Sequence, residues 1–126
     1  MIGYVTIGTN DLPKAIAFYD ALLGDLGATR MMETDHSVVW FTSPDKPAIS
    51  VTKPYDGKAA TVGNGMMVAL VVDSNEKVDA MYKRALELGG TDEGPPGERG
   101  MPGFYAAYFR DLDGNKLNFY CFQPAG

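Results

Sequence analysis

Apolar and polar positions along this chain follow two periods, and the two periods recur in the same order twice. After Asp11, the residues Leu12, Ala15, Ile16, Phe18, Tyr19, Leu22, Leu23 and Leu26 return at helical intervals and so share one helix face. Pro13 falls in the first turn, where its missing N–H costs little, and Gly27 ends the pattern. A second helical pattern carries Val78, Met81, Tyr82, Ala85, Leu86 and Leu88. Asp73 and Glu76 have the spacing of a capping box before it, and Gly89-Gly90 closes it. Each helix follows a short β-type run, Tyr4-Val5-Thr6-Ile7 and Met67-Val68-Ala69-Leu70.

Laid over one another at a shift of 63 residues, these segments match without a gap: Tyr4 falls on Met67, Phe18 on Met81, Tyr19 on Tyr82, Leu23 on Leu86 and Gly27 on Gly90. The ends of the halves match at a shift of 68: Phe41 falls on Phe109, Asp45 on Asp113, Ile49 on Leu117 and Val51 on Phe119. The extra residues belong to the stretch 94–103, whose glycines and prolines predict a loop. Each half thus reads strand, helix, then strands. The later strands are expected near 28–34, 37–42 and 47–53, and near 91–93 (weak), 104–110 and 115–122. Asp113-Gly114 suits the hairpin turn between the last two. The expected fold class is α+β, with two tandem βαβββ modules in a curved mixed sheet around a cleft. Module one spans about 1–54, a linker about 55–65, and module two about 66–126.

Charge and cysteine content narrow the function classes. The net charge of −5 argues against a nucleic-acid groove, which needs a basic stripe. The single cysteine, Cys121, excludes an intramolecular disulfide and suits a reducing cytoplasm; between Phe119-Tyr120 and Phe122 it reads as a buried small hydrophobe. The N-terminal residues lack the pattern of a signal peptide. The longest apolar run, Met66 to Val72, is too short to span a bilayer. Asp111-Leu112-Asp113-Gly114-Asn115 begins like a calcium loop, but Lys116 stands where glycine is needed and Phe122 where glutamate is needed. These aspartates read as turn formers.

The paired pattern, with Tyr4-Val5-Thr6-Ile7, Asp11-Leu12, Phe18-Tyr19 and the run Phe109-Arg110-Asp111-Leu112-Asp113-Gly114-Asn115-Lys116-Leu117, resembles the vicinal-oxygen-chelate superfamily. That superfamily includes glyoxalase I, extradiol dioxygenases, and fosfomycin- and bleomycin-resistance proteins. In its metal-using members, each half supplies one ligand from its first strand and one from its last. The resemblance places those positions on Tyr4, Ser50, Met67 and Asn118, which the shifts of 63 and 68 also relate in pairs. The family pattern would put histidine or glutamine at Tyr4, histidine at Met67 and glutamate at Ser50 and Asn118. Phenol, hydroxyl, thioether and amide do not replace imidazole and carboxylate around a divalent catalytic ion, so no metal or other cofactor is expected.

Strand alternation then gives a cleft floor of Tyr4, Ser50, Met67, Asn118 and Tyr120, a mixed apolar and neutral-polar surface suited to an uncharged or aromatic ligand. Trp40 and Tyr105 are candidate wall residues of undetermined parity, and Trp40 reads equally as a core residue. Arg99 is a candidate anion anchor on a lid formed by residues 95–103, or a solvated loop charge. His36 reads as an exposed turn histidine outside the ligand positions. The resemblance implies a homodimer with a small organic molecule as partner, while composition leads us to expect a cytoplasmic chain with neither nucleic acid nor membrane as partner. The function expected is sequestering or recognising that molecule. The alternatives are a glyoxalase I-like lyase, isomerase or dioxygenase with a non-standard site, and an interaction domain without a ligand.

Overall fold

A computed structural model describes residues 1–123. The elements run β1 (Tyr4–Gly8), α1 (Leu12–Gly24), β2 (Thr29–Glu33), β3 (Ser37–Phe41), β4 (Ala48–Thr52), β5 (Val68–Val71), α2 (Asn75–Glu87), β6 (Thr91–Glu98), β7 (Phe104–Arg110) and β8 (Lys116–Phe122). The chain divides into two compact units, the first ending at Asn64 and the second beginning at Gly65. The fold is the expected α+β arrangement of two βαβββ modules, each with a four-stranded mixed sheet, ordered β1-β4-β3-β2 and β5-β8-β7-β6. Among the described residues, no helix is long and apolar enough to cross a membrane.

The two modules repeat each other in register as well as in order. Thr6 pairs with Ser50 in the parallel β1–β4 ladder, and Ala69 pairs with Asn118 in the parallel β5–β8 ladder; these are the same two shifts. The helices also sit 63 residues apart at both ends. Asp11 caps α1 by accepting from the Lys14 N–H at 3.2 Å. The cap of α2 differs from the expected Asp73–Glu76 box: Ser74 accepts from the Lys77 N–H at 3.1 Å. A serine hydroxyl one residue later reaches the same class of orphan donor. Gly90, just after α2, has no room for a side chain, because a Cβ would lie 2.9 Å from the carbonyl oxygens of Ala85 and Arg110.

Between β3 and β7, the ungapped shift of 68 is off by one. Trp40 pairs with Ile49 as Phe109 pairs with Leu117, so Trp40 is the counterpart of Phe109. The turn between β3 and β4 (residues 42–47) is one residue longer than that between β7 and β8 (residues 111–115). A slip of one residue reverses every side chain on a strand. The helix-facing layer is therefore Val38, Trp40, Ile49 and Val51 in module one, and Ala107, Phe109, Leu117 and Phe119 in module two, all buried. Tyr19 of α1 packs on Trp40 with ring centres 5.7 Å apart, and Phe109 stacks on Phe119 at 5.4 Å.

The first half of the stretch expected to be a loop, residues 94–98, belongs to an edge strand. β6 carries Gly94-Pro95-Pro96-Gly97 within it, and its pairing with β7 shifts register between Asp92 and Gly94 and between Gly94 and Gly97. Proline and glycine are admitted because an edge strand at a bulge need not donate every N–H. The linker residue Ala60 packs on module one, where Asn10 exchanges two hydrogen bonds with its backbone at 2.7 and 3.1 Å.

Candidate functional site

Module one carries a groove of about 540 Å³ on the sheet face opposite its helix. Its floor is made by alternating residues of adjacent strands: Tyr4 and Thr6 of β1, Ser50 and Thr52 of β4, Val39 and Phe41 of β3. The β2 edge adds Met31 and Met32. Two consecutive residues face the same side there because the β2–β3 pairing slips between Arg30 and Met32, leaving Met31 as an extra residue. Both methionines are half exposed. Tyr4 is 69% exposed and Ser50 is buried. Tyr55, Lys53 and His36 close one end.

Tyr4 and Ser50 thus lie together on this face. Asn118 and Tyr120 share the corresponding face of the module-two sheet, where Tyr120 stacks on Phe104 at 5.4 Å. Asn118 is 2% exposed, and its Oδ1 has no hydrogen-bond partner among the described residues. Met67 precedes β5 and is exposed, outside the strand that was to orient it.

Three expected positions are corrected. Trp40 is not a wall residue: it is 1% exposed on the helix side, with Nε1 donating to Asp20 Oδ1 at 2.9 Å. Tyr105 also faces its helix, donating its hydroxyl to Asp79 Oδ1 at 2.7 Å. The hydrogen bond to Asp79, then burial, pushes the Tyr105 phenol above its ordinary pKa. Arg99 anchors no lid. Its guanidinium folds back on the preceding strand β6, donating to the carbonyls of Pro95 and Glu98 and lying 5.7 Å from the Tyr108 ring centre.

Cys121 is buried and donates to Asn75 Oδ1 at 2.8 Å. Burial first, then the charges of Glu76 and Asp73, pushes its thiol above the usual range, which favours the unreactive protonated form. Asp111 ties its own turn, accepting from the backbone N–H groups of Asp113 and Asn115 at 2.9 Å each.

Sequence reasoning missed Met31, Met32 and the groove role of His36. His36 does sit exposed in the β2–β3 turn, yet it lines the groove. The available signal was the pair of methionines in an otherwise polar strand; the bulge that aims both was not readable from alternation.

Two modules, each with the element order βαβββ, define a two-module α+β protein. The sequence matches the family model for the Glyoxalase/Bleomycin resistance protein/Dioxygenase superfamily over residues 1–119, and the chain belongs to that superfamily. It is similar to a glyoxalase/bleomycin resistance protein from Albidiferax ferrireducens T118, with 37% identity over 98% of this chain and 99% of that one, at a TM-score of 0.88. A fosfomycin resistance protein from Listeria monocytogenes is 18% identical over 98% of this chain and 94% of its own, with a TM-score of 0.73. A lactoylglutathione lyase from Agrobacterium tumefaciens is 19% identical over 98% of both chains, with a TM-score of 0.72. The last two share the fold alone. No curated protein matches the sequence.

The metal that the superfamily implies does not fit the residues present. Among the described residues, no group of three or more histidine, cysteine, aspartate or glutamate side chains is placed to hold an ion. The buried Asn118 amide oxygen is a hard-ion donor, but a single neutral oxygen does not make a divalent site.

Proposed function

We propose that this protein binds an aromatic or otherwise apolar organic molecule in the module-one groove, sequestering or recognising it without a family-type metal. The observation that carries this reading is the groove lining. Methionine thioethers, Val39, Phe41 and the Tyr4 ring offer apolar burial, while Ser50, Thr52 and the Tyr4 hydroxyl offer neutral hydrogen bonds. Thioether side chains adapt their shape to a guest, and aromatic rings add geometric preference. The chemistry of Tyr4, Ser50, Met67 and Asn118 supports the metal-free form. Asn118 and Tyr120 remain candidate ligand contacts of module two. The single cysteine and the open edges of β1 and β5 favour a cytoplasmic homodimer.

One titration tests the reading. Protein equilibrated with Zn, Ni, Mn and Fe(II) salts and then desalted is expected to retain far less than one ion per chain, while still binding 1-naphthol. Met32→Asp should weaken that binding about tenfold, the effect of replacing an apolar contact by a charge, with an unchanged melting temperature. Near-stoichiometric metal, or naphthol binding indifferent to Met32→Asp, contradicts the reading.

A further inference from the structure

The basic side chains of the module-one groove deepen the binding reading above and rest on it. The chain is acidic overall, yet neither aspartate nor glutamate lines the groove; His36, Lys46 and Lys53 do. β4 runs from Ala48 to Thr52, about 13 Å of extended chain, so Lys46 and Lys53 flank opposite ends. Lys46 stands in the β3–β4 turn beside Asp45, whose carboxyl is held below its ordinary pKa by the Ser43 hydroxyl first and by the Lys46 charge last. The other end differs. The Lys53 N–H donates to the His36 carbonyl at 2.8 Å, and the Thr52 hydroxyl donates to the same oxygen at 3.1 Å. These bonds hold His36 and Lys53 side by side where β3 begins and β4 ends. No carboxylate among the described residues forms an ion pair with either side chain.

Both residues also line an adjoining groove of about 570 Å³ with Tyr55 and Lys58, again without a lining carboxylate. The nearest acids in sequence, Asp35 and Asp56, line neither groove. A positive end on an apolar trough is complementary to a molecule with one anionic end, because a partly desolvated anion gains more from a cation there than in bulk water.

We propose that the groove takes an aromatic or aliphatic monocarboxylate, with its carboxylate held between Lys53 and His36 and its apolar body against Met31, Met32 and Phe41. Calorimetric titration of the full chain with 1-naphthoate and with its neutral counterpart 1-naphthamide tests this. Naphthoate should bind about fivefold tighter, the size of a favourable ion pair at a partly exposed site. The double variant with Lys53→Gln and His36→Gln should abolish that preference, while Lys46→Gln should keep it. Equal binding of both probes overturns the carboxylate assignment and leaves the apolar reading standing. Loss of the preference in Lys46→Gln alone also overturns it, by placing the anion at the wrong end. Failure of both probes to bind overturns the assignment and the binding reading together.

Discussion

Module one and module two have the same strand order, the same parallel register and helices of the same length, yet they use their open sheet faces in opposite ways. In module two the face is occupied by its own side chains. Phe104 stacks on Tyr120, and Arg99 and Lys116 both lie over Tyr108, at 5.7 and 5.4 Å from the ring centre. In module one the corresponding face is a trough, and β2 presents five exposed residues to solvent, two of them methionines. The helix-facing layers match closely in burial, Trp40 standing where Phe109 stands. The wiring and core are thus common to the two halves, and the difference lies in what each edge strand carries: an eight-residue Gly/Pro strand in module two against a short bulged strand in module one.

The comparison can be broken most decisively at the shared core. Trp40→Ala should cost about 3–5 kcal/mol, as large-to-small changes of buried aromatics do, and it also removes the indole partner of Asp20. Urea unfolding would show it as a markedly lower midpoint; a loss well under 1 kcal/mol would contradict the placement of Trp40 in the core.

The two open faces are separated next by Asn118 and its counterpart Ser50. Because the Asn118 amide oxygen is buried without a partner, Asn118→Leu should be neutral or stabilising by about 1 kcal/mol, since it removes an uncompensated desolvation cost. A destabilisation above about 2 kcal/mol would mean that the amide is satisfied in solution.

The smallest expected effect concerns Arg30, which bridges Asp20 of α1 and Glu33 of β2. The Arg30 hydrogen bond, followed by that from Trp40, holds the Asp20 carboxyl below its ordinary pKa despite some burial. Its stabilisation is therefore present above the ordinary carboxylate range and is lost as pH falls through the lowered value. Arg30→Ala should cost only a few tenths of a kcal/mol at neutral pH, because the pair is solvent-exposed, and should flatten the acid limb of a stability-versus-pH curve. An unchanged acid limb would show that Asp20 is not linked through Arg30.

Much of this architecture was legible in the sequence. Leu12 through Leu26 and Val78 through Leu88 report their helices by period alone, and the shifts of 63 and 68 carry over into the register of both parallel ladders. The failures have local physical causes. A single extra turn residue between β3 and β4 reverses strand parity, so Trp40 was open to a groove reading when it is core. Gly94-Pro95-Pro96-Gly97 reads as loop chemistry, but an edge strand tolerates it, and Arg99 then has nearby carbonyls to satisfy it. Met31 was invisible as a groove residue because alternation predicts opposite faces for neighbours, and only a bulge puts both methionines on one. His36 was correctly seen as an exposed turn residue; its nearness to Lys53 follows from a β3–β4 pairing that the sequence does not specify residue by residue.

The most direct test of the account is a methionine-methyl NMR titration of the full chain with 1-naphthol. The seven methionines distribute across both modules, with Met31 and Met32 in the module-one groove, Met81 in the α2 core, and Met66 and Met67 before β5. The account predicts saturable shifts of the Met31 and Met32 methyl signals, with Met81 unmoved. Shifts confined to Met66 and Met67, with Met31 and Met32 silent, would contradict the assignment of the site to module one.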